Sequence, residues 1–132
     1  MNILMLLKPK STVKFIFDTN TLRQGIEKMR VHGYTAIPVI DSEGKYIGTV
    51  SEGDFLYYLL DLQKNKLNEK EKHIVRDIIR KDFNPAVRID VTMDEVLRRA
   101  ESQNFVPVVD DRGTFIGIVT RQDIIKYFIN NP

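Results

Sequence analysis

The sequence predicts an α/β fold of the α+β type, in which two small β-α-β-β-α repeats follow one another along the chain. Two observations lead to this prediction. A run of 18 residues recurs 69 residues later, and each copy alternates short β-branched segments with segments of helical periodicity. The first copy covers residues 37–54 and the second covers residues 106–123. Pro, Val, Asp, Gly, Ile, Gly, Val and Asp coincide across this window without a gap. The chain is therefore a tandem duplication.

The similarity extends upstream at a slightly different offset. Residues 21–29 match residues 92–100 at an offset of 71. The second copy thus lacks two residues at the point where the first copy has Thr35 and Ala36. We therefore expect two halves that share one fold and differ just before their central strands.

The first part of each repeat is predicted to be a strand, a helix and a second strand. Val13–Phe17 is β-branched and aromatic, which is typical of a strand. Thr21 then occupies the N-cap position of a helix, and apolar or small residues follow at helical spacing. These residues are Leu22, Gly25, Ile26 and Met29. Ile37–Ile40 is the next short apolar strand, and its Pro38 takes a position that donates no ladder hydrogen bond.

The second part of each repeat is predicted to be a hairpin followed by a helix. Residues 41–44 have the composition of a turn and end in a glycine. Tyr46–Val50 returns as the paired strand. Ser51 is the natural N-cap of the next helix, and Asp54 takes the third helical position. The helix continues through Leu62.

The duplication defines the domain organisation. We assign residues 8–62 to repeat 1, residues 63–79 to a charged helical connector, and residues 80–130 to repeat 2. Each half is too small to bury much surface alone, so we expect the two repeats to pack on each other as one module. The segment from Asp61 to Asp82, both included, contains seven Lys or Arg and five Asp or Glu residues. Because these charges alternate in sign, a solvated helix is favoured over a nucleic-acid patch.

Composition excludes several classes of protein. The chain has 132 residues, 20 Lys and Arg against 18 Asp and Glu, no Cys and two His. A net charge this close to zero does not indicate binding to DNA or to an anionic membrane. The absence of Cys excludes a disulfide framework and a thiolate site. The apolar run after Met1 is five residues long, which is too short for a signal peptide or a membrane span. We expect a soluble, cytoplasmic protein with no metal and no cofactor.

Three segments resemble a known family. Residues 33–39, 47–54 and 116–123 resemble the motifs of a pair of CBS domains, the Bateman module, and the resemblance covers Lys8 to Phe128. It implies a stand-alone regulatory module that forms a homodimer. It also implies an adenine-nucleotide ligand, such as AMP, ADP, ATP, S-adenosylmethionine or cyclic di-AMP, held in the cleft between the two repeats.

The residue types suit such a ligand. Asp54 and Asp123 lie in first helical turns, where a carboxylate accepts hydrogen bonds from both hydroxyls of a ribose. Ser51 and Thr120 offer hydroxyl groups to ribose or phosphate oxygens, and the helix starts behind them favour negative charge. The same Ser or Thr with an acid three residues later is also an ordinary capping arrangement that needs no ligand.

Adenine and phosphate contacts are assigned to the segments beside these helices. Apolar residues before the two prolines are predicted to sandwich the adenine ring, although the aromatic ones are equally explained as core residues. Arg121 is predicted to contact the phosphate. Weaker candidates for this contact are Lys8, Lys10, Arg80 and Lys81. The shortened second copy predicts one good site rather than two equivalent ones. The predicted ligand-binding residues are Tyr34, Thr35, Ala36, Ile37, Pro38, Ser51, Asp54, Phe105, Val106, Pro107, Thr120, Arg121 and Asp123.

The leading hypothesis is therefore a ligand-sensing module that binds an adenine nucleotide and signals to an unidentified protein partner by a conformational change. Small cyclic di-AMP receptors are similar to this chain in the segment 33–38, the shortened second copy and the Thr-Arg pair at 120–121, so a cyclic di-AMP receptor is one alternative. A structural dimerisation module without a ligand is another. No catalytic residue is expected, because the sequence has no Ser-His-Asp set, glycine-rich phosphate loop or metal-ligand cluster.

Overall fold

The computed structural model describes residues 2–64 and 73–131, and within these residues it has seven strands and four α-helices. The strands are β1 (Lys8–Pro9), β2 (Ile16–Phe17), β3 (Ala36–Ile40), β4 (Tyr46–Ser51), β5 (Val87–Arg88), β6 (Phe105–Val109) and β7 (Phe115–Thr120). The helices are α1 (Leu22–His32), α2 (Glu52–Lys64), α3 (Met93–Ala100) and α4 (Arg121–Asn130). The predicted mixed α/β fold, with the order strand-helix-strand-strand-helix occurring twice, is confirmed.

The chain packs into two compact units that do not follow the order of the repeats. Among the described residues, the first-repeat unit contains residues 14–43, 47–64 and 73–83, and the second-repeat unit contains residues 2–13, 44–46 and 84–131. Residues 2–13, which we call the amino-terminal arm, therefore pack with the second repeat. Residues 74–83, which we call the middle arm, pack with the first repeat. Each unit thus includes the segment that leads into the other repeat.

The second-repeat unit is built on a sheet in the order β1-β7-β6-β5. Strands β6 and β7 form an antiparallel hairpin, and β5 runs parallel to β6. The amino-terminal arm adds β1 antiparallel to the far side of β7. Helices α3 and α4 cover the apolar face of the sheet. The buried core consists of Ile3, Val87, Val96, Ala100, Val106, Val108, Val119 and Ile124, so the arm contributes a core residue.

A glycine permits the arm to lie against β7. Gly117 pairs with Pro9 and has a φ of +154°, in the range that favours glycine. A Cβ atom at this position would lie 2.1 Å from the carbonyl oxygen of Lys8. Any side chain here would push the arm away from the sheet.

The first-repeat unit has a sheet in the order β2-β3-β4, in which β2 runs parallel to β3. The middle arm packs along the start of this repeat through backbone hydrogen bonds. The amide of Val75 donates to the carbonyl of Asn20 at 2.8 Å, and the amide of Arg76 donates to the carbonyl of Asp18 at 2.9 Å. The buried core consists of Ile16, Leu22, Met29, Ile37, Val39, Val50, Phe55, Val75 and Ile78.

Two predictions about these segments need correction. The strand predicted over Val13–Phe17 is limited to β2, because the chain leaves the second-repeat unit after Val13, which is buried there. The predicted helical connector, residues 63–79, lies partly outside the described residues. Its described end is not a solvated helix, since residues 75–78 form a 3-10 helix that buries Val75 and Ile78 in the core. Val75 and Ile78 thus anchor this charged segment in the core of the first-repeat unit.

The predicted helix starts are confirmed. The Thr21 hydroxyl accepts a hydrogen bond from the amide of Gln24, whose side chain accepts in turn from the amide of Thr21. Thr92 caps α3 in the same way through the amide of Glu95. No helix in residues 2–64 and 73–131 has the length and apolar character needed to cross a membrane.

Replacing Gly117 by alanine is expected to lower the free energy of unfolding by more than about 2 kcal/mol, because the new Cβ clashes with the backbone of the amino-terminal arm. Urea unfolding measures the change. Gly53→Ala is the matched control, since its Cβ meets the nearest neighbouring atom at an ordinary 3.7 Å in the first turn of α2. Equal unfolding free energies for the two variants would contradict the role assigned to Gly117.

The hairpin turn of the second repeat depends on Asp110. The amides of Arg112 and Thr114 donate to its Oδ1 at 2.8 and 2.9 Å, and they lower the pKa of the carboxyl group below its ordinary 3.8.

A carboxylate with a lowered pKa stabilises the folded state above the unfolded pKa, and this contribution is lost as the pH falls through the folded value. The Asp110→Asn variant should therefore be less stable than the wild type at neutral pH, and the gap should shrink as the pH falls below 3.8. Urea unfolding across this range is the measurement. Asp111→Asn, which removes one negative charge from the same turn, is the control. A gap that does not change with pH would contradict the assignment.

Candidate functional site

The start of α4 brings together three of the predicted ligand-binding residues. Thr120 ends β7 and caps α4, and its hydroxyl accepts from the amide of Asp123 at 3.1 Å. The amide of Arg121 donates to the carbonyl of Asn104 at 2.8 Å, which ties the helix start to the residue before β6. A strand that passes directly into a helix thus presents a hydroxyl and a carboxylate within one helical turn.

A cation from the amino-terminal arm approaches this carboxylate. The Lys8 Nζ lies 3.6 Å from Asp123 Oδ2, and the two side chains are 49% and 26% exposed. Lysine carries a compact charge on a flexible stem, and an ion pair at this distance and exposure contributes little to stability. The Asp123 carboxylate therefore remains accessible to hydrogen-bond donors from solvent.

An open groove of about 560 Å³ lies beside the same helix start. Its lining combines the Thr120 hydroxyl with amide, basic and apolar groups. The other lining residues are Asn104, Arg121, Gln122, Ile125 and Lys126. The volume falls within the range of about 300–1,000 Å³ that is typical of sites for small molecules.

Arg121 has a structural task that the sequence did not predict. Its Nε donates to the carbonyl of Ala100 at 2.8 Å, and its Nη2 faces the carbonyl of Glu101 at 3.4 Å. Both carbonyls belong to the end of α3, where free acceptors and the negative end of the helix dipole favour a cation. The predicted contact between Arg121 and a phosphate stays a prediction, and two of its donors already have acceptors.

The start of α2 has the same layout in the first-repeat unit. The amide of Asp54 donates to the Ser51 hydroxyl at 3.3 Å, and the amide of Ser51 donates to Asp54 Oδ2 at 2.8 Å. The amide of Glu52 donates to the carbonyl of Thr35 at 2.9 Å, as Arg121 does to Asn104. The repeat thus reproduces the backbone geometry of both helix starts.

The environment of the Asp54 carboxylate is nevertheless different. Arg80 Nε lies 2.8 Å from Oδ1, and Arg80 Nη2 lies 3.4 Å from Oδ2. The guanidinium carbon of Arg80 lies 3.8 Å from the centre of the Phe83 ring, which holds it by a cation–π contact. The Asp54 side chain is 9% exposed. Both of its oxygens are occupied by groups of the protein.

The apolar residues of the predicted ligand-binding set divide into two groups. Ile37 and Val106 are fully buried in the cores of their units, and Pro38 and Pro107 are buried beside them. Their side chains are held inside because these residues occupy the inner strands β3 and β6. No adenine contact by the Ile37 or Val106 side chain fits this burial.

The other predicted residues reach the surface at least in part. Phe105 and Ala36 are half-buried at the starts of their strands, and Thr35 is exposed. Tyr34 is half-buried and lines a second open groove, of about 460 Å³, in the first-repeat unit. This groove is mainly apolar and has Ile26, Met29, Phe55, Leu56 and Leu59 in its walls.

Lys8 and Arg80 form ion pairs with the helix carboxylates that the sequence did not predict, and their predicted phosphate contacts stay predictions. Lys8 pairs with Asp123 and Arg80 pairs with Asp54, so each cation comes from the segment that precedes the other repeat. Residue patterns within a single repeat do not reveal such contacts. One signal was present: Lys8 aligns with Ile79, next to Arg80, at the 71-residue offset. Among residues 2–64 and 73–131, no group of three or more His, Asp or Glu side chains could hold a metal ion.

Comparisons with known proteins agree with the repeat. The family model of the CBS domain matches residues 7–61 and again residues 75–130. The uncharacterized protein MK0525 of Methanopyrus kandleri is 30% identical over 115 residues, which cover 82% of this chain and 54% of MK0525. The chain thus spans about half the length of that relative. Cyclic di-AMP receptor B of Bacillus subtilis is 24% identical over 107 residues, which cover 81% of this chain and 72% of the receptor.

A solved structure is similar to this chain in its three-dimensional fold. The crystal structure of CbpB in complex with c-di-AMP superimposes with a TM-score of 0.88 at 25% sequence identity, over 98% of this chain and 85% of CbpB. The duplicated strand-helix-strand-strand-helix order, the two capped helix starts and the double match to the family model all lead to one assignment. The chain is a tandem pair of CBS domains and belongs to the CBS domain family.

Proposed function

We propose that this chain is a regulatory module that binds an adenine nucleotide at the start of α4 and signals its presence to a partner protein. The observation that carries the proposal is the accessible Asp123 carboxylate, which lies in the first turn of α4 beside the Thr120 hydroxyl and the Lys8 ammonium group. The groove beside this helix start has the size of a site for a small molecule.

These groups match the polar parts of a nucleotide. An ionised carboxylate only accepts hydrogen bonds, so Asp123 suits the two hydroxyls of a ribose. When a ribose engages Asp123, the Lys8 ammonium group is released from its ion pair and is available to a phosphate oxygen. The positive end of the α4 helix dipole favours the same negative charge, although the amides of Arg121 and Asp123 already have acceptors within the protein. Ribose and phosphate would therefore be bound by separate groups a few ångströms apart.

The groove is a separate surface at the same helix start, because Asp123 is not among its lining residues and Ile125, two positions along α4, points to the opposite side of the helix. Ile125 adds an apolar surface there, and the Asn104 amide carries both donors and an acceptor. Arg121 and Lys126 add positive charge to the wall of the groove. The combination of an apolar wall with a few convergent polar groups is typical of ligand sites.

Two ligand types share this chemistry. AMP, ADP and ATP present one adenosine, and cyclic di-AMP presents two. The similarity to CbpB, whose structure contains c-di-AMP, and to a receptor named for cyclic di-AMP supports the dinucleotide. The mononucleotides require only the ribose and phosphate contacts described above. We therefore propose a sensor of an adenine nucleotide such as AMP, ADP or ATP, with a receptor for cyclic di-AMP as the alternative.

The proposed activity is binding and not catalysis. We infer a homodimer that acts in the cytoplasm, with an unidentified protein as the target of regulation and with neither a nucleic acid nor a membrane as a partner. A ligand regulates only when it binds one conformation better than another, so the sensor must have two arrangements with different nucleotide affinities. The proposal assigns no catalytic residue, metal or cofactor to the site.

A thermal-shift screen tests the proposal directly. We expect one adenine ligand among AMP, ADP, ATP, S-adenosylmethionine and cyclic di-AMP to raise the melting temperature in a saturable manner, with no response to the guanine counterparts. A ligand present at about 100 times its Kd stabilises the native state by about 2.7 kcal/mol. No response to any ligand from folded protein would overturn the proposal and favour a structural dimerisation module.

Substitution of the two equivalent aspartates locates the site. Asp123→Asn should raise the Kd for the identified nucleotide by about tenfold or more, because hydrogen bonds to a charged group contribute about 1.5–3 kcal/mol. Asp54→Asn is the matched control and should leave the Kd unchanged, since Arg80 already occupies that carboxylate. Titration calorimetry gives both values, and thermal melts confirm that the variants are folded. An effect confined to Asp54→Asn would place the ligand in the first-repeat unit instead.

A further inference from the structure

We propose that Arg80 closes the helix start of the first repeat to nucleotides and thereby restricts binding to the second repeat. This inference rests on the proposed function and adds to it the residue that distinguishes the two duplicated helix starts. Without Arg80, the two starts would present the same groups, namely a hydroxyl at the N-cap and a carboxylate at the third helical position.

The hydrogen bonds of Asp54 show that each of its carboxylate oxygens already has a donor from the protein. Oδ2 accepts from the amide of Ser51 at 2.8 Å and faces Arg80 Nη2 at 3.4 Å. Oδ1 lies 2.8 Å from Arg80 Nε. Hydrogen bonds between a guanidinium and a carboxylate are stronger than neutral ones, and the planar guanidinium suits both oxygens at once. A ribose would have to displace these bonds before it gained its own.

The middle arm holds Arg80 in this position. The guanidinium lies on the Phe83 ring at 3.8 Å. On the other side of Arg80, Ile79 lies against Gly48, where a Cβ atom would approach the Ile79 side chain to 2.8 Å. Ile78 is buried in the core. Ile78 and Ile79 fix the backbone before Arg80, and its side chain, which is 54% exposed, contacts both the Phe83 ring and the Asp54 carboxylate.

The second repeat lacks such an arrangement in its own arm. Lys8 makes a single ion pair of 3.6 Å with Asp123, and the carboxylate side chain is 26% exposed, against 9% for Asp54. A flexible ammonium group releases a carboxylate more readily than a planar guanidinium does. The difference between one lysine and one arginine thus leaves Asp123 accessible and Asp54 occupied.

The number of nucleotides bound per chain tests this inference. Calorimetric titrations of the full chain with AMP, and in parallel with cyclic di-AMP, are made on the wild type, Arg80→Ala and Arg80→Met. The methionine variant keeps an apolar stem against Phe83 and serves if the alanine variant fails to fold. We expect a twofold increase in bound nucleotide per chain for both folded Arg80 variants.

Two controls separate an opened site from a general change of the protein. Arg88→Ala removes an exposed guanidinium that pairs with Asp90, away from both helix starts, and should add no site. The double variant Arg80→Met with Asp54→Asn should return the number of bound nucleotides to the wild-type value, because the opened site then lacks its ribose acceptor.

The number of nucleotides bound per chain distinguishes the possible outcomes. An unchanged or reduced number of bound nucleotides in the Arg80 variants would overturn the inference and leave the proposed function intact, and reduced binding would make Arg80 a contact of the ligand. A twofold increase that persists in the double variant would overturn it as well. Absence of binding in the wild type and in the Arg80 variants would overturn the proposed function together with the inference.

Discussion

The pairing of Lys8 and Pro9 with β7 determines much of the structure around it. The amino-terminal arm reaches β7 because Gly117 has no side chain, and it brings Ile3 into the core of the second-repeat unit. Because Lys8 lies within this strand, its ammonium group is placed beside Asp123. A backbone contact that serves packing thus also determines which cation the helix carboxylate meets.

The middle arm follows the same principle with a different result. Ile79 packs at Gly48, the counterpart of Gly117, and the neighbouring Arg80 reaches Asp54. Duplication has preserved the backbone arrangement at both helix starts, whereas the arm residues differ. Two sites of common origin therefore have carboxylates of unequal accessibility. Membership of the CBS domain family accounts for the shared backbone, whereas the cation that each carboxylate meets, a lysine or an arginine, differs between the copies.

Local signals in the sequence were sufficient for most of the fold. The hairpins, the capping role of Thr21 and the positions of Asp54 and Asp123 depend on residues close together in the chain, and all were predicted correctly. The arms were not predicted, because their partners lie far away in the sequence. The same limit applies to Arg121, whose acceptors at the end of α3 come from another element.

The exchange of arms changes how substitutions in this protein depend on one another. Residues of the amino-terminal arm pack in the second-repeat unit, so the effect of a substitution at Lys8 or Ile3 is expected to depend on the residues near Asp123 or Val119. In an alignment of relatives, covariation should therefore link each arm to the repeat in which it packs. The two units are thus interleaved along the sequence, and the stability of each arm depends on the unit in which it packs.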